Sequence, residues 1–114
     1  MRLFQRLRGF PGFQQTFRDR ARRHLTGNGV LTPQAAGERY RNLARQLDPA
    51  ILAEAARWGY YRQRVHPFRV GPFERYTRDE HWKPEVKRLL EQYFPHRTEA
   101  ISRQLETLGL LAAP

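Results

Sequence analysis

Cysteine is absent from the 114 residues, which excludes disulfides, thiolate metal sites and cysteine nucleophiles. The absence does not fix a compartment, because exported chains also do without cysteine. Serine occurs once, as Ser102, and no Ser-His-Asp grouping stands out. No apolar run approaches the roughly 20 residues that span a bilayer. The opening Met1 to Arg8 is basic with no apolar stretch behind it, unlike a secretory signal, so an exported product would carry its signal in a longer parent chain. Neither the phosphate-loop pattern nor the dinucleotide fingerprint occurs. His24, His66, His81 and His96 are scattered, outside any HExxH spacing.

Lysine is nearly absent too. Only Lys83 and Lys87 are Lys among 21 basic residues, and the other nineteen are Arg. A GC-rich genome produces such a bias, so arginine richness has a bland explanation beside a functional one. The formal net charge is +10 and unevenly spread: residues 1–45 hold ten Arg against Asp19 and Glu38, a balance of +8. A field of this kind attracts polyanions and acidic protein surfaces. Arg18, Arg20, Arg22 and Arg23 form the densest basic face, either solvated or turned to a partner. Nucleic acid is a possible partner by charge alone, for no zinc finger, helix-turn-helix or aromatic RNA-binding strand is present.

What is present is helical periodicity. At 39% hydrophobic and 12% aromatic residues, the chain has enough apolar material for one domain, which at this length buries roughly two thirds of its unfolded surface. Leu3, Phe4 and Leu7 predict a short opening helix ended by Gly9. Pro11 suits the first turn of a second helix with Phe13, Phe17, Ala21, His24 and Leu25 on one face. Gly27-Asn28-Gly29 stops it, as residues tolerant of a left-handed backbone do. Thr32-Pro33 caps a third helix carrying Ala36, Tyr40, Leu43, Ala44 and Leu47, and Asp48-Pro49 repeats the device for a fourth carrying Ile51, Leu52, Ala55 and Trp58, closed by Gly59.

Residues 60–76 interleave aromatics with arginine and are broken by Pro67, Gly71 and Pro72, predicting a long aromatic loop whose rings either cover the helical core or are turned to a partner. Thr77-Arg78-Asp79-Glu80 has the capping-box form. Pro84 either kinks the helix that follows or starts another. Trp82, Val86, Leu89, Leu90 and Tyr93 make the next stripe, Phe94-Pro95 breaks it, and Ala100, Ile101, Gln104, Leu105 and Leu108 form the last helix, ended by Gly109. Leu110 to Pro114 is a short apolar tail. The expectation is an all-α bundle of about five or six short helices in a single domain: a basic helical half at 1–59, the loop at 60–76 and a helical pair at 77–111.

The order of these motifs resembles the late helical segment of CotH-type (spore coat protein H-like) atypical kinases. Leu3-Phe4 with Pro11-Gly12-Phe13 and Phe17-Arg18-Asp19-Arg20, then Gly29-Val30-Leu31-Thr32-Pro33, are similar to runs of that family. The most specific match is Ile51-Leu52-Ala53-Glu54-Ala55-Ala56-Arg57-Trp58-Gly59. Thr77 to Trp82, Tyr93-Phe94-Pro95-His96-Arg97 and Leu105 to Leu110 complete the likeness, which covers nearly the whole chain in order.

The resemblance implies a family of protein kinases that use ATP and a divalent metal, associated with bacterial spore coats and with secreted or surface proteins. Its nucleotide-binding lysine, catalytic aspartate and metal-binding aspartate lie upstream of the matched segment, so no residue here inherits those roles. It implies a non-catalytic, structural or partner-binding segment, whose partner is the catalytic remainder or an acidic protein surface. A small Arg-rich module for nucleic acid or another polyanion is the competing expectation. In either case Trp58 reads as an anchor at a helix end, Glu54 is spaced to orient Arg57, Trp82 belongs to a core stripe, and Glu54 or another acid is expected to pair with Arg97 across two helices.

Overall fold

A computed structural model describes residues 2–65 and 74–111, and every regular element among them is helical. Two compact units emerge: Met1–Glu38 with Tyr93–Pro114, and Arg39–Gln92. In chain order the elements are α1 (Arg2–Leu7), α2 (Pro11–Leu25), α3 (Pro33–Trp58), the single turn α4 (Tyr61–Arg64), a π-helical turn (Arg78–Trp82), α5 (Lys83–Arg88), a second π-helical turn (Leu89–Tyr93) and α6 (Phe94–Thr107).

In the unit formed by the two chain ends, α1 and α2 meet through aromatic edges: Phe4 stands at 81° to Phe13 with centroids 6.3 Å apart, and Phe13 lies 5.9 Å from Phe17. Pro11 takes the first position of α2 and Thr32 caps α3, its hydroxyl accepting the Ala35 N–H at 3.4 Å and donating to the Gly29 carbonyl at 2.9 Å. Both starts follow the sequence expectation. The turn after α2 is held from both sides, since the Leu31 N–H donates to the His24 carbonyl (2.8 Å) and the Thr98 hydroxyl donates to the Leu31 carbonyl (2.6 Å).

The end of α6 and the start of the tail pack inward. Gly109 (φ +69°) ends α6, its N–H donating to the Glu106 carbonyl while that of Leu110 reaches the Leu105 carbonyl, both at 2.9 Å. This is the paired closure of a Schellman motif, and it folds the next residues back onto the helix. Leu110, 1% exposed, and Leu111 are thereby buried, as is Leu25 of α2. The described part of the apolar tail, Leu110 and Leu111, is core. Arg8 further ties α1 to this end by donating to the Leu108 carbonyl at 3.0 Å.

The expected break at Asp48-Pro49 does not occur, and α3 runs unbroken through Pro49. The physical reason is phase. Gly37 and Ala44 (both buried) and Asp48, Ile51 and Ala55 (all half-buried) follow one another at helical steps of three, four or seven, so the face before the proline continues in register after it. Asp48, freed from capping, instead accepts an ion pair from Arg78 at 3.5 Å. Pro49 still lacks the N–H that the Arg45 carbonyl would receive. Pro49→Ala restores it: the helix term of about 3 kcal/mol exceeds the entropy of roughly 1 kcal/mol that proline removes from the unfolded chain. The variant is therefore expected to melt later by about 8 °C. An unchanged or lower melting temperature by circular dichroism would show that α3 accommodates the proline without strain.

Pro84 and Pro95 do not break the chain either, so the bundle of five or six short helices gives way to fewer, longer runs: residues 78–107 are helical throughout. A π-helical turn precedes each proline. In the first, the Lys83 N–H reaches back five residues to the Arg78 carbonyl. The wider turn relieves the clash a proline ring makes with the preceding turn.

Candidate functional site

The site is built in the Arg39–Gln92 unit, where the chain reverses after Trp58. Gly59 is buried and accepts the Tyr76 N–H on its carbonyl at 3.0 Å, which places residues 74–77 beside the end of α3. The Thr77 hydroxyl then caps the first π-helical turn by accepting the Glu80 N–H (3.1 Å). The reciprocal half of the expected capping box is not made by Glu80. The Thr77 N–H donates to His81 Nδ1 at 3.1 Å, one position further along, while the Glu80 carboxylate accepts from the Thr77 hydroxyl at 3.3 Å. Because His81 Nδ1 accepts, the neutral ring carries its proton on Nε2, from which it donates to Glu74 at 3.2 Å. The Tyr76 ring leans against the same ring at 50°, with centroids 4.8 Å apart.

This arrangement leaves an open cleft of about 390 Å³. Ile51, Ala55 and Trp58 of α3 form one wall; Tyr76, His81 and Trp82 form the other. Its two charged residues are carboxylates, Glu54 and Glu85. Trp58 and Trp82, the two tryptophans of the chain, both face it. Glu85 is gripped by Arg88 through two contacts at 2.6 and 2.7 Å. Glu54 forms no hydrogen bond or ion pair among the described residues. The expected orientation of Arg57 by Glu54 is not formed, because the Arg57 guanidinium lies over the Trp58 ring at 5.0 Å instead.

Of the other residues singled out from sequence, Arg97 belongs to the other unit, where its guanidinium sits 5.8 Å from the Tyr93 ring centroid. Asp19 accepts from the Gln15 amide at 3.0 and 3.1 Å. Arg18 donates to Gln15 at 3.4 Å, and Arg20, Arg22 and Arg23 are exposed with no ion pair among the described residues. Part of the aromatic loop, residues 66–73, lies outside the described residues. Of the loop's described aromatics, Tyr60 and Tyr61 are exposed, with Tyr61 edge-on to Trp58, whereas Tyr76 is half-buried beside the end of α3; Arg64 and Arg75 lie 4.7 and 5.0 Å from the Tyr60 ring.

Electrostatics reinforce the helical run beside the cleft. Hydrogen bonds from Lys83 and then Arg78 hold the Asp79 carboxyl below its ordinary range, and the hydrogen bond from Arg88 does the same for Glu85. A carboxyl depressed on folding contributes stability that is present above its unfolded pKa and lost as pH falls through the folded one. Helicity of the 78–88 stretch is therefore expected to hold on acidification to about pH 4 and to decline below it. Backbone amide shifts across that range check this, and a decline beginning above pH 5 would contradict it.

Among the described residues no three His, Asp or Glu side chains converge as a metal site requires, and no helix is long and apolar enough to cross a membrane. Comparison with protein-family models, curated proteins and solved structures found no match for this chain.

Proposed function

We propose that this chain is a non-catalytic, helical C-terminal segment of a CotH-type kinase whose work is to pack on the catalytic part of that kinase. The observation that carries the reading is an uncovered apolar row on α3. Leu43 and Leu47, one helical turn apart, are 57% and 52% exposed, although the sequence places them on the same face as Ala44, which is buried. One half of the stripe is used inside the unit and the other faces outward. Two large aliphatic side chains in a row on a helix are the surface that such docking would use. The ordered motifs from Leu3 to Leu110 supply the identity of what docks there.

The test begins with the reading frame upstream of Met1. An in-frame stretch with a lysine and two aspartates at kinase spacing provides the catalytic part, which is expressed separately and mixed with this chain. Co-purification is expected, with at least a tenfold loss for the double variant Leu43→Asp, Leu47→Asp at unchanged helicity. The absence of any such coding sequence, or co-purification indifferent to the double variant, overturns the reading. So does ATP-dependent labelling of protein by the purified chain alone, because the proposal places no reacting group in it.

A second reading, a polyanion-binding module, rests on Arg20, Arg22 and Arg23, whose exposed guanidiniums have no acidic partner among the described residues. Under it, a gel-shift assay gives binding that falls steeply with salt and weakens when the three are replaced by alanine. No binding at low salt removes it.

A further inference from the structure

We infer that His81 is a pH-sensitive latch: on protonation it gives up the Thr77 N–H, and residues 74–77 are released from the turn that follows while that turn stays capped. The inference does not depend on the kinase reading. Its ground is the set of contacts on one ring. Nδ1 accepts the Thr77 N–H at 3.1 Å, Nε2 donates to Glu74 at 3.2 Å, and the Thr77 hydroxyl lies 3.4 Å from Nδ1. An imidazole nitrogen accepts only while it carries no proton. Nε2 already holds the proton that it donates to the Glu74 carboxylate, so an added proton has to enter at Nδ1, the atom that faces the Thr77 N–H. Two N–H groups then point at each other. Turning the ring over gives no relief, since both nitrogens of the charged ring are donors.

The new Nδ1–H has an acceptor within reach, the Thr77 hydroxyl oxygen. That oxygen accepts the Glu80 N–H at 3.1 Å and directs its own proton to the Glu80 carboxylate at 3.3 Å, which leaves one lone pair for the ring. The charged ring therefore keeps Glu74, now as an ion pair, and gains the hydroxyl, while the Thr77 N–H loses its partner. Because the Glu80 N–H stays bonded to the hydroxyl, the helical run from Arg78 does not unravel, and the change falls on the chain before it. That chain carries Tyr76, whose ring leans on the imidazole and whose N–H is held by the Gly59 carbonyl. The ring is 20% exposed, so solvent protons reach it. Among the described residues, the other charges around it are Glu54 of α3 and Glu85 of α5, which line the same cleft, and Arg78, Asp79 and Glu80 of its own turn. Arg78 is paired with Asp48 and Asp79, Lys83 with Asp79, and Glu85 with Arg88. These charges bear on the pH at which the ring titrates, and none of them alters which nitrogen must take the proton.

The full chain, labelled with heavy nitrogen, is followed by NMR between about pH 8 and pH 5, the range in which imidazoles titrate. Long-range correlations within the His81 ring are expected to place the proton on Nε2 at the upper end of the range. The Thr77 amide proton is expected to shift with the same midpoint as the ring. Its exchange with solvent, corrected for the intrinsic effect of pH, is expected to be faster at the lower end, while exchange at Glu80 is not. His81→Asn sets a carbonyl oxygen that takes no proton close to the place of Nδ1, and is expected to leave the Thr77 amide constant over the whole range. His96→Asn, at an exposed histidine of the other unit, is expected to leave the Thr77 titration intact. A neutral ring protonated on Nδ1, a Thr77 amide indifferent to the His81 midpoint, exchange equally slow at both ends, or a titration that survives His81→Asn would each overturn the inference. The first three are read on the parent chain, so they decide the matter even if His81→Asn does not fold.

Discussion

Leu110→Ala is expected to lower the melting temperature by about 12 °C. Leu110 is the most completely buried large side chain among the described residues, at 1% exposure. Truncating a buried leucine removes its transfer free energy and leaves a cavity, together about 3 kcal/mol. For a protein of this length each kcal/mol shifts melting by about 4 °C, and total stability is only about 5–15 kcal/mol. The loss is a large share of the whole because the core is small. Leu25, Ala44, Leu110 and Leu111 make up the buried hydrophobic set among the described residues. The neighbouring Leu108, 40% exposed, is the control and should cost well under half as much. Equal effects at the two positions, measured by thermal circular dichroism, would show that Leu110 is not the anchor of its unit.

Gly59→Ala is the second large effect, and it acts in the other unit. A Cβ on Gly59 would stand 2.5 Å from the Ala55 carbonyl oxygen and 2.6 Å from that of Tyr76. Both obstacles are backbone, so neither can swing aside as a side chain would. The chain must separate α3 from residues 74–77 and stretch the hydrogen bond from the Tyr76 N–H to the Gly59 carbonyl. Overpacking of this severity costs about 3 kcal/mol. Because Gly59 lies in the wall of the tryptophan cleft, a change in folded-state emission is expected along with the drop in melting temperature. Gly12→Ala is the contrast: a Cβ there meets nothing within 4 Å, and the variant should melt close to the parent. A Gly59→Ala protein with parental melting and emission would mean that the close approach of these two segments is not a feature of the fold.

Helix starts were legible in the sequence because their chemistry is local. Thr32-Pro33 caps α3 and Thr77 caps the π-helical turn through hydrogen bonds spanning three residues. The break expected at Asp48-Pro49 was misread because a proline's cost is local while its tolerance is not, whereas Pro84 stands in the first turn of α5 as one of the two expected outcomes. Pro49 lies inside α3 because the half-buried face from Ala44 to Ala55 demands a single register. Pro84 and Pro95 are absorbed by wide turns that no residue pattern announces. Glu54 and Arg57 had the spacing of a surface pair, yet the guanidinium found a flatter partner in the adjacent indole. The cleft itself was half legible: Trp58 and Trp82 each stood out, but their meeting depends on the reversal at Gly59, which arises from contacts 17 residues apart between Gly59 and Tyr76.

The stacking of guanidinium on aromatic rings has a consequence for what the arginine bias means. Arg57 on Trp58, Arg64 and Arg75 beside Tyr60, and Arg97 near Tyr93 use a flat, delocalised cation. An ammonium is compact, more strongly hydrated and has no plane to lay against a ring. A lysine-for-arginine recoding of these four positions would preserve every formal charge and still loosen the surface around both tryptophan and tyrosine faces. At these four sites the ring contact depends on the plane of the guanidinium and not on its charge alone.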